Sequence, residues 1–170
     1  MSLSVVILAA GKGTRIRSSL PKVLHEVANK PMVGHVINAA RQLDAENIYI
    51  VYGFGGEVLK ATLTENDPSN DLTFIEQKEQ LGTGHAVDMA SSSIKDSDNI
   101  LVLYGDVPLT KVSTLQRLLA VKPENGMETI VLQSVLNISI FNFEAYSLIL
   151  FNLGAIENAA SLKNEISPSG

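Results

Sequence analysis

Four short stretches carry residue types suited to a phosphate, a divalent metal and a flat polar ring. The first is Leu8-Ala9-Ala10-Gly11-Lys12-Gly13-Thr14-Arg15, placed directly after an apolar run. Its glycines let the backbone approach an anion closely and aim successive N–H groups at phosphate oxygens. Lys12 and Arg15 add positive charge. It is not a Walker A loop, because no Gly-Lys-Ser/Thr ends it, and Ile16 stands where a dinucleotide fingerprint needs its third glycine. On glycine spacing alone it reads equally well as an ordinary tight turn between a strand and a helix. The second stretch is Leu20-Pro21-Lys22. Proline pushes the residue before it towards an extended conformation, which stiffens the approach to Lys22 and offers a fixed cation for a phosphate. Taken alone, such a lysine is usually just solvated.

The third stretch is Gln77-Lys78-Glu79-Gln80-Leu81-Gly82-Thr83-Gly84-His85. Side-chain amides and close-approaching glycine backbone suit hydrogen-bond readout of a flat polar ring. A helix starting here would also present free N–H groups. The plainer reading is a capped helix start with a flexible lead-in. The fourth is Leu103-Tyr104-Gly105-Asp106-Val107-Pro108, which puts a carboxylate just after a buried strand. Such a carboxylate can hold Mg²⁺, a hard cation that keeps few protein ligands beside substrate phosphates. Asp106 also reads as a turn residue before Pro108.

Other chemistries find less support. His25, His35 and His85 are not at metal-ligand spacing, and His35 falls in a helical pattern as a packed or surface residue. No serine sits in a Gly-x-Ser-x-Gly context. Together, a phosphate-cradling loop, a fixed lysine, a ring-reading loop and a metal carboxylate describe nucleotidyl transfer. That reaction needs positioning and charge stabilisation rather than a covalent nucleophile.

These stretches need a frame. Residues 4–9 form a continuous apolar run with β-branched members, the pattern of a strand buried on both faces of a parallel sheet. Residues 11–20 read as a loop. Pro31 opens a helix on which Met32, Val33, Val36, Ile37, Ala40 and Leu43 recur at helical spacing. Strands are expected at 47–52, 72–75 and 99–104, and a short helix at 57–63 after the Gly53-Phe54-Gly55-Gly56 break. Thr83 and Thr110 are candidate caps for two further helices. Strands alternating with helices predict βαβ units and a parallel sheet, with ligands beyond the carboxyl ends of the strands. The chemistry should therefore sit after Ala9, Ile75 and Tyr104.

The chain has 170 residues, is 45% hydrophobic and 18% charged, and lacks cysteine. That composition suits one folded domain and excludes disulfides and thiolate metal sites. The net charge of −5 argues against general affinity for nucleic acid or anionic membrane. No targeting segment is expected: the N-terminal apolar run lacks a basic leader. The later apolar stretch at 146–156 is interrupted by Asn152 and Gly154 and is too short to span a bilayer. A soluble, cytoplasmic protein is expected. Composition shifts after Gly126, where Ile, Leu, Phe and Asn dominate; strands near 129–136 and 139–143 and a helix near 156–164 are expected there.

Read in order, Leu8 to Arg15, Leu20-Pro21-Lys22-Val23-Leu24-His25, Gln80-Leu81-Gly82-Thr83-Gly84-His85-Ala86 and Leu103-Tyr104-Gly105-Asp106-Val107-Pro108-Leu109 closely resemble one family, over about residues 1–126. It is the N-terminal uridylyltransferase domain of the bacterial bifunctional UDP-N-acetylglucosamine pyrophosphorylase/glucosamine-1-phosphate N-acetyltransferases. The first two motifs are shared by many sugar-nucleotide pyrophosphorylases and cytidylyltransferases; the last two are more specific. The resemblance implies an α/β, Rossmann-like nucleotide-diphospho-sugar transferase fold, three-layered around a mostly parallel sheet and incomplete here. It implies transfer of UMP from UTP to N-acetylglucosamine 1-phosphate, giving UDP-N-acetylglucosamine and pyrophosphate for cell-envelope precursors (peptidoglycan and lipopolysaccharide). Leu8, Ala9, Ala10 and Gly11 would line the nucleotide. Lys22 and Arg15 would stabilise charge on the phosphates as catalytic residues. Gln77, Gly82 and Thr83 would contact the uridine. Tyr104, Gly105 and Asp106 would form the strand-end site, with Asp106 a ligand of the Mg²⁺ cofactor.

The resemblance stops at about Gly126. Within residues 127–170 the glycine-tyrosine-glycine sugar loop, the sugar-holding glutamate and asparagine and the later metal-binding asparagine are missing. The left-handed β-helix acetyltransferase domain is absent too, so neither acetyl transfer nor trimerisation through that domain is expected of this sequence. Two other readings stay open: a truncated or frameshifted remnant that at most binds nucleotide, and a pyrophosphorylase for another nucleotide or sugar.

Overall fold

A computed structural model describes residues 2–11, 20–53, 55–66, 69–95, 99–120, 130–134 and 146–152. The first apolar run forms strand β1 (Leu3–Ala9). A 3-10 turn, Lys22–Leu24, leads into a small antiparallel hairpin of β2 (Glu26–Val27) and β3 (Lys30–Pro31). Then follow helix α1 (Met32–Arg41), β4 (Asn47–Tyr52), α2 (Gly56–Asn66), β5 (Leu72–Glu76) and α3 (Thr83–Ser91). The chain continues through β6 (Asn99–Tyr104), α4 (Val112–Leu119), β7 (Ile130–Ser134) and β8 (Tyr146–Asn152).

The six longer strands form one sheet in the order β5-β4-β1-β6-β8-β7. The β5, β4, β1 and β6 strands run parallel; β8 pairs antiparallel with both β6 and β7. Side chains alternate along the central strands, so each face has its own core. Val5, Ile7, Ile50 and Leu103 pack with residues of α1, α2 and α4, such as Ile37, Leu59 and Leu115. On the other face Val6, Val51 and Val102 pack with Ala86, Val87 and Ala90 of α3. The result is the expected three-layer, mostly parallel α/β fold.

Several local expectations need correction. Gly82, not Thr83, occupies the N-cap of α3, with φ of +103°, and no side chain caps this helix. That dihedral lies where glycine is favoured, so Thr83 becomes the first helical residue. Lys111 takes the N-cap of α4; Thr110 Oγ1 instead donates to Val107 O at 3.3 Å and closes the preceding turn. Helix α2 outruns the expected 57–63 because Thr64, Glu65 and Asn66 continue it as polar residues that an apolar pattern does not register. The β2–β3 hairpin and β8 were not anticipated: two-residue strands carry no periodicity, and β8 is a short apolar run whose type periodicity alone does not decide. In the tail, β7 falls within the expected 129–136 strand. The strand expected at 139–143, the helix at 156–164 and the loop of 12–19, with Arg15, lie outside the described residues. Among the described residues no helix is long and apolar enough to cross a membrane.

Candidate functional site

Strand order reverses at β1, with β4 and β5 on one side and β6 on the other. In open α/β sheets the crevice beyond the carboxyl ends at such a reversal is the preferred ligand site. Ala9, Ala10 and Gly11 leave β1 at this point, and Tyr104, Gly105 and Asp106 leave β6 beside them. Gly105 fastens the two ends: its N–H donates to Leu8 O at 2.9 Å. A Cβ on Gly105 would lie 3.1 Å from Leu8 O and 3.3 Å from Val23 Cγ1, so a side chain there would push the strand ends and the 3-10 turn apart.

That turn delivers Lys22. Leu24 N–H donates to Pro21 O at 2.9 Å and His25 N–H to Lys22 O at 3.1 Å. The buried Val23 and Leu24 anchor the turn in the core and leave Lys22 at the edge. Its Nζ donates to Asp106 Oδ2 at 2.7 Å. The two side chains are 43% and 27% exposed, so the pair is partly open to solvent. Ion pairs this exposed contribute about 1 kcal/mol or less, so the contact can exchange for another partner at little cost.

The loop after β5 closes in from the other side. Gln77 is 3% exposed, and its backbone N–H donates to Tyr52 O at 2.7 Å. Its Nε2 donates to Gly82 O at 3.2 Å and lies 3.0 Å from His85 Nδ1. Farther along, Gln80 Nε2 donates to Ala10 O at 2.8 Å. Gly53 makes room for that bond: a Cβ there would stand 2.7 Å from Gln80 Nε2 and 3.3 Å from Ala10 O. The loops after β1, β4 and β5 therefore meet at one point. Tyr52 stands beside these loops, and its partial burial, followed by the Glu76 and Glu57 carboxylates, raises its phenol above the ordinary value.

Of the residues singled out in the sequence, Leu8, Ala9, Ala10, Gly11, Lys22, Tyr104, Gly105 and Asp106 lie together at the β1/β6 ends. Gln77, Gly82 and Thr83 lie on the adjoining loop, tied to it through Gln80. Arg15 lies outside the described residues. Gln80 and His85 carry no individual signal in the sequence. Each is one polar residue in a polar stretch, and what distinguishes it is a partner far along the chain or across a turn. His25 also stands out, because its Nε2 is buried without a hydrogen-bond partner among the described residues.

No three His, Cys, Asp or Glu residues converge on a metal position among the described residues. Asp106 offers one carboxylate with Oδ2 held by Lys22. A single carboxylate suits a cation that takes most of its ligands from phosphates and water, as Mg²⁺ does, and does not suit zinc.

Residues 5–137 match the family model of the MobA-like NTP transferase domain. Among solved structures, the fold resembles Rv0371c from Mycobacterium tuberculosis H37Rv, with a TM-score of 0.73 and 18% identity over 94% of this chain and 76% of that one. Rv0371C has also been solved in complex with manganese. The inositol-1-phosphate CTP transferase from T. maritima aligns with a TM-score of 0.68 and 15% identity over 93% of this chain and 74% of that one. UDP-glucose pyrophosphorylase from Acinetobacter baumanii aligns with a TM-score of 0.64 and 18% identity, covering 98% and 84%. At these identities the likeness is one of fold.

Proposed function

Because the chain belongs to the MobA-like NTP transferase domain family, we propose that it is a nucleotidyltransferase that moves UMP from UTP to N-acetylglucosamine 1-phosphate. The observation that carries this reading is the meeting of Lys22 and Asp106, at 2.7 Å, at the sheet edge where β1 ends and strand order reverses. The base and acceptor rest on the Gln80–Ala86 and Leu103–Leu109 motifs.

In the proposed reaction an oxygen of the sugar 1-phosphate attacks the α-phosphorus of UTP. The bond from that phosphorus to the bridging oxygen of the β-phosphate breaks, and pyrophosphate leaves. Leu8, Ala9, Ala10 and Gly11 line the nucleotide, and Gln77, Gly82 and Thr83 bind the uracil. Lys22 turns from Asp106 to the phosphates and offsets the charge that develops there, and Arg15 is assigned the same task. Asp106, with Tyr104 and Gly105 at the strand end, is the residue that would hold a divalent cation, Mg²⁺ in this proposal, which would supply further neutralisation of phosphate charge. The nucleotide-binding part is assigned to residues 1–126 and the remainder to a divergent tail. A cytoplasmic location fits the use of UTP.

The test is pyrophosphate release by the purified chain with Mg²⁺, each of UTP, CTP, GTP, ATP and dTTP, and either N-acetylglucosamine 1-phosphate or glucose 1-phosphate. Release that is fastest with UTP and N-acetylglucosamine 1-phosphate supports the proposal. Preference for another pair reassigns the substrates within the family. Nucleotide binding without any release identifies a binding remnant and overturns the proposal.

A further inference from the structure

Gln77 is nearly completely buried, and the partners of its amide are unequal in kind. Gly82 O can only accept a hydrogen bond, so the atom facing it must be Nε2. The same nitrogen lies 3.0 Å from His85 Nδ1. A primary amide nitrogen carries two N–H donors, and these two acceptors use both when His85 is the tautomer protonated at Nε2. Gln77 cannot retreat, because its backbone N–H is bonded to Tyr52 O at 2.7 Å. Its Oε1 makes no hydrogen bond among the described residues.

We infer that His85 is a positioning residue for base selection: by accepting at Nδ1 it reinforces the hold of Gly82 O on the Gln77 amide, so that Oε1 alone is presented to the nucleobase. The inference rests on the proposed role of Gln77 in binding the base. It goes further by assigning the polarity of the contact and the residue that sets it. An acceptor at this point selects a base edge with an N–H opposite it, such as the imide N3–H of uracil or thymine. Cytosine in the same seat offers a lone pair at N3, which leaves two acceptors face to face. Without His85, one amide N–H loses its partner and only the 3.2 Å bond to Gly82 O still opposes turning the amide over, so presenting a donor becomes cheaper. That donor tolerates cytosine N3.

The experiment measures dissociation constants of UTP and CTP for the full chain by calorimetry, in the parent and in His85→Leu and His85→Asn. Melting temperatures report folding. The parent is expected to prefer UTP. His85→Leu should reduce the UTP-to-CTP preference by about fivefold to a hundredfold, the range for leaving one buried polar group unpaired. His85→Asn should keep most of it, because its Oδ1 can accept where Nδ1 did. If His85→Leu does not fold, His85→Ala carries the same expectation. A variant lacking the acceptor that folds and keeps the full preference overturns the inference, as does equal loss in His85→Asn. A parent that binds UTP and CTP equally overturns it while leaving nucleotide binding intact. A parent that binds no nucleotide instead removes the proposed function beneath it.

Discussion

Lys22 and Asp106 are 84 residues apart in the chain, yet Nζ and Oδ2 are 2.7 Å apart in space. The cation proposed for phosphate and the carboxylate proposed for metal thus neutralise each other in this contact. Binding must redistribute this contact.

The redistribution predicts a change of sign. Without divalent metal, Asp106→Asn frees Lys22 for the triphosphate and should tighten UTP binding by up to about fivefold, the scale of an exposed ion pair. With saturating Mg²⁺ the same substitution should weaken binding, because the amide lacks the charge a hard cation needs. Lys22→Ala should weaken binding under both conditions. Calorimetry with and without Mg²⁺ checks this, and an Asp106→Asn effect of one sign throughout would contradict the assigned roles.

Gly53→Ala should dislodge the Gln80 amide from Ala10 O, because the new Cβ would fall 2.7 Å from Nε2. The expected cost is about 0.5–1.5 kcal/mol, the net worth of one hydrogen bond. In a Gln80→Ala background the substitution should cost much less, since only the 3.3 Å approach to Ala10 O and the 3.4 Å approach to its Cβ remain. Urea unfolding of the two single variants and the double variant measures the coupling, and additive losses would refute it.

The β2–β3 hairpin turns through Ala28 and Asn29, at φ of 52° and 61°. Positive φ at both central residues is the pattern of a type I′ turn, which favours asparagine and glycine. Alanine is strained there, as left-handed backbone costs an L-residue about 1–2 kcal/mol. Part of that gain is offset by the greater freedom of glycine in the unfolded chain. Ala28→Gly should therefore stabilise the protein by about 0.5–1 kcal/mol and raise the melting temperature by about 1–4 °C. No increase in a thermal melt would show the turn to be unstrained.

The raised phenol of Tyr52 has a definite pH signature. The native state keeps this proton where the unfolded chain, near the ordinary value of 10.0, has lost it. The contribution to stability is whole below the unfolded value and disappears as pH rises through the folded one. Glu76→Gln removes one of the two carboxylates that add to the effect of burial, so Tyr52 should ionise at lower pH. Alkaline phenolate absorbance, differenced against Tyr52→Phe, reads the shift, and a movement to higher pH would reject the cause.

The β4 and β6 strands, Asn47–Tyr52 and Asn99–Tyr104, are legible to the residue, because each is an apolar run with a polar residue at its start and a Gly after its end. The fold class follows from such runs alternating with helices. Caps are less legible. Thr83 and Thr110 have suitable side chains, but a neighbouring residue takes the dihedral or the position the cap requires. The candidate site residues announce themselves by type, whereas their partners do not. Nothing along the chain pairs Lys22 with Asp106 or Gln80 with Ala10, since those contacts exist only once three strand ends converge, and Gln77 meets His85 only across the turn that leads into α3.

The antiparallel β8 strand also imposes an order of events on synthesis. It covers the flank of β6, pairing Asn99 with Asn152 and Val102 with Ile149, and is made roughly fifty residues later. At ribosomal rates of about 5–20 residues per second, the parallel half waits several seconds with Ile100, Leu101 and Val102 on an unpaired margin. An open apolar margin of that kind recruits strands from other chains. The nascent protein is thus most exposed to aggregation after its parallel half has been made and before Tyr146–Asn152 arrives to seal it.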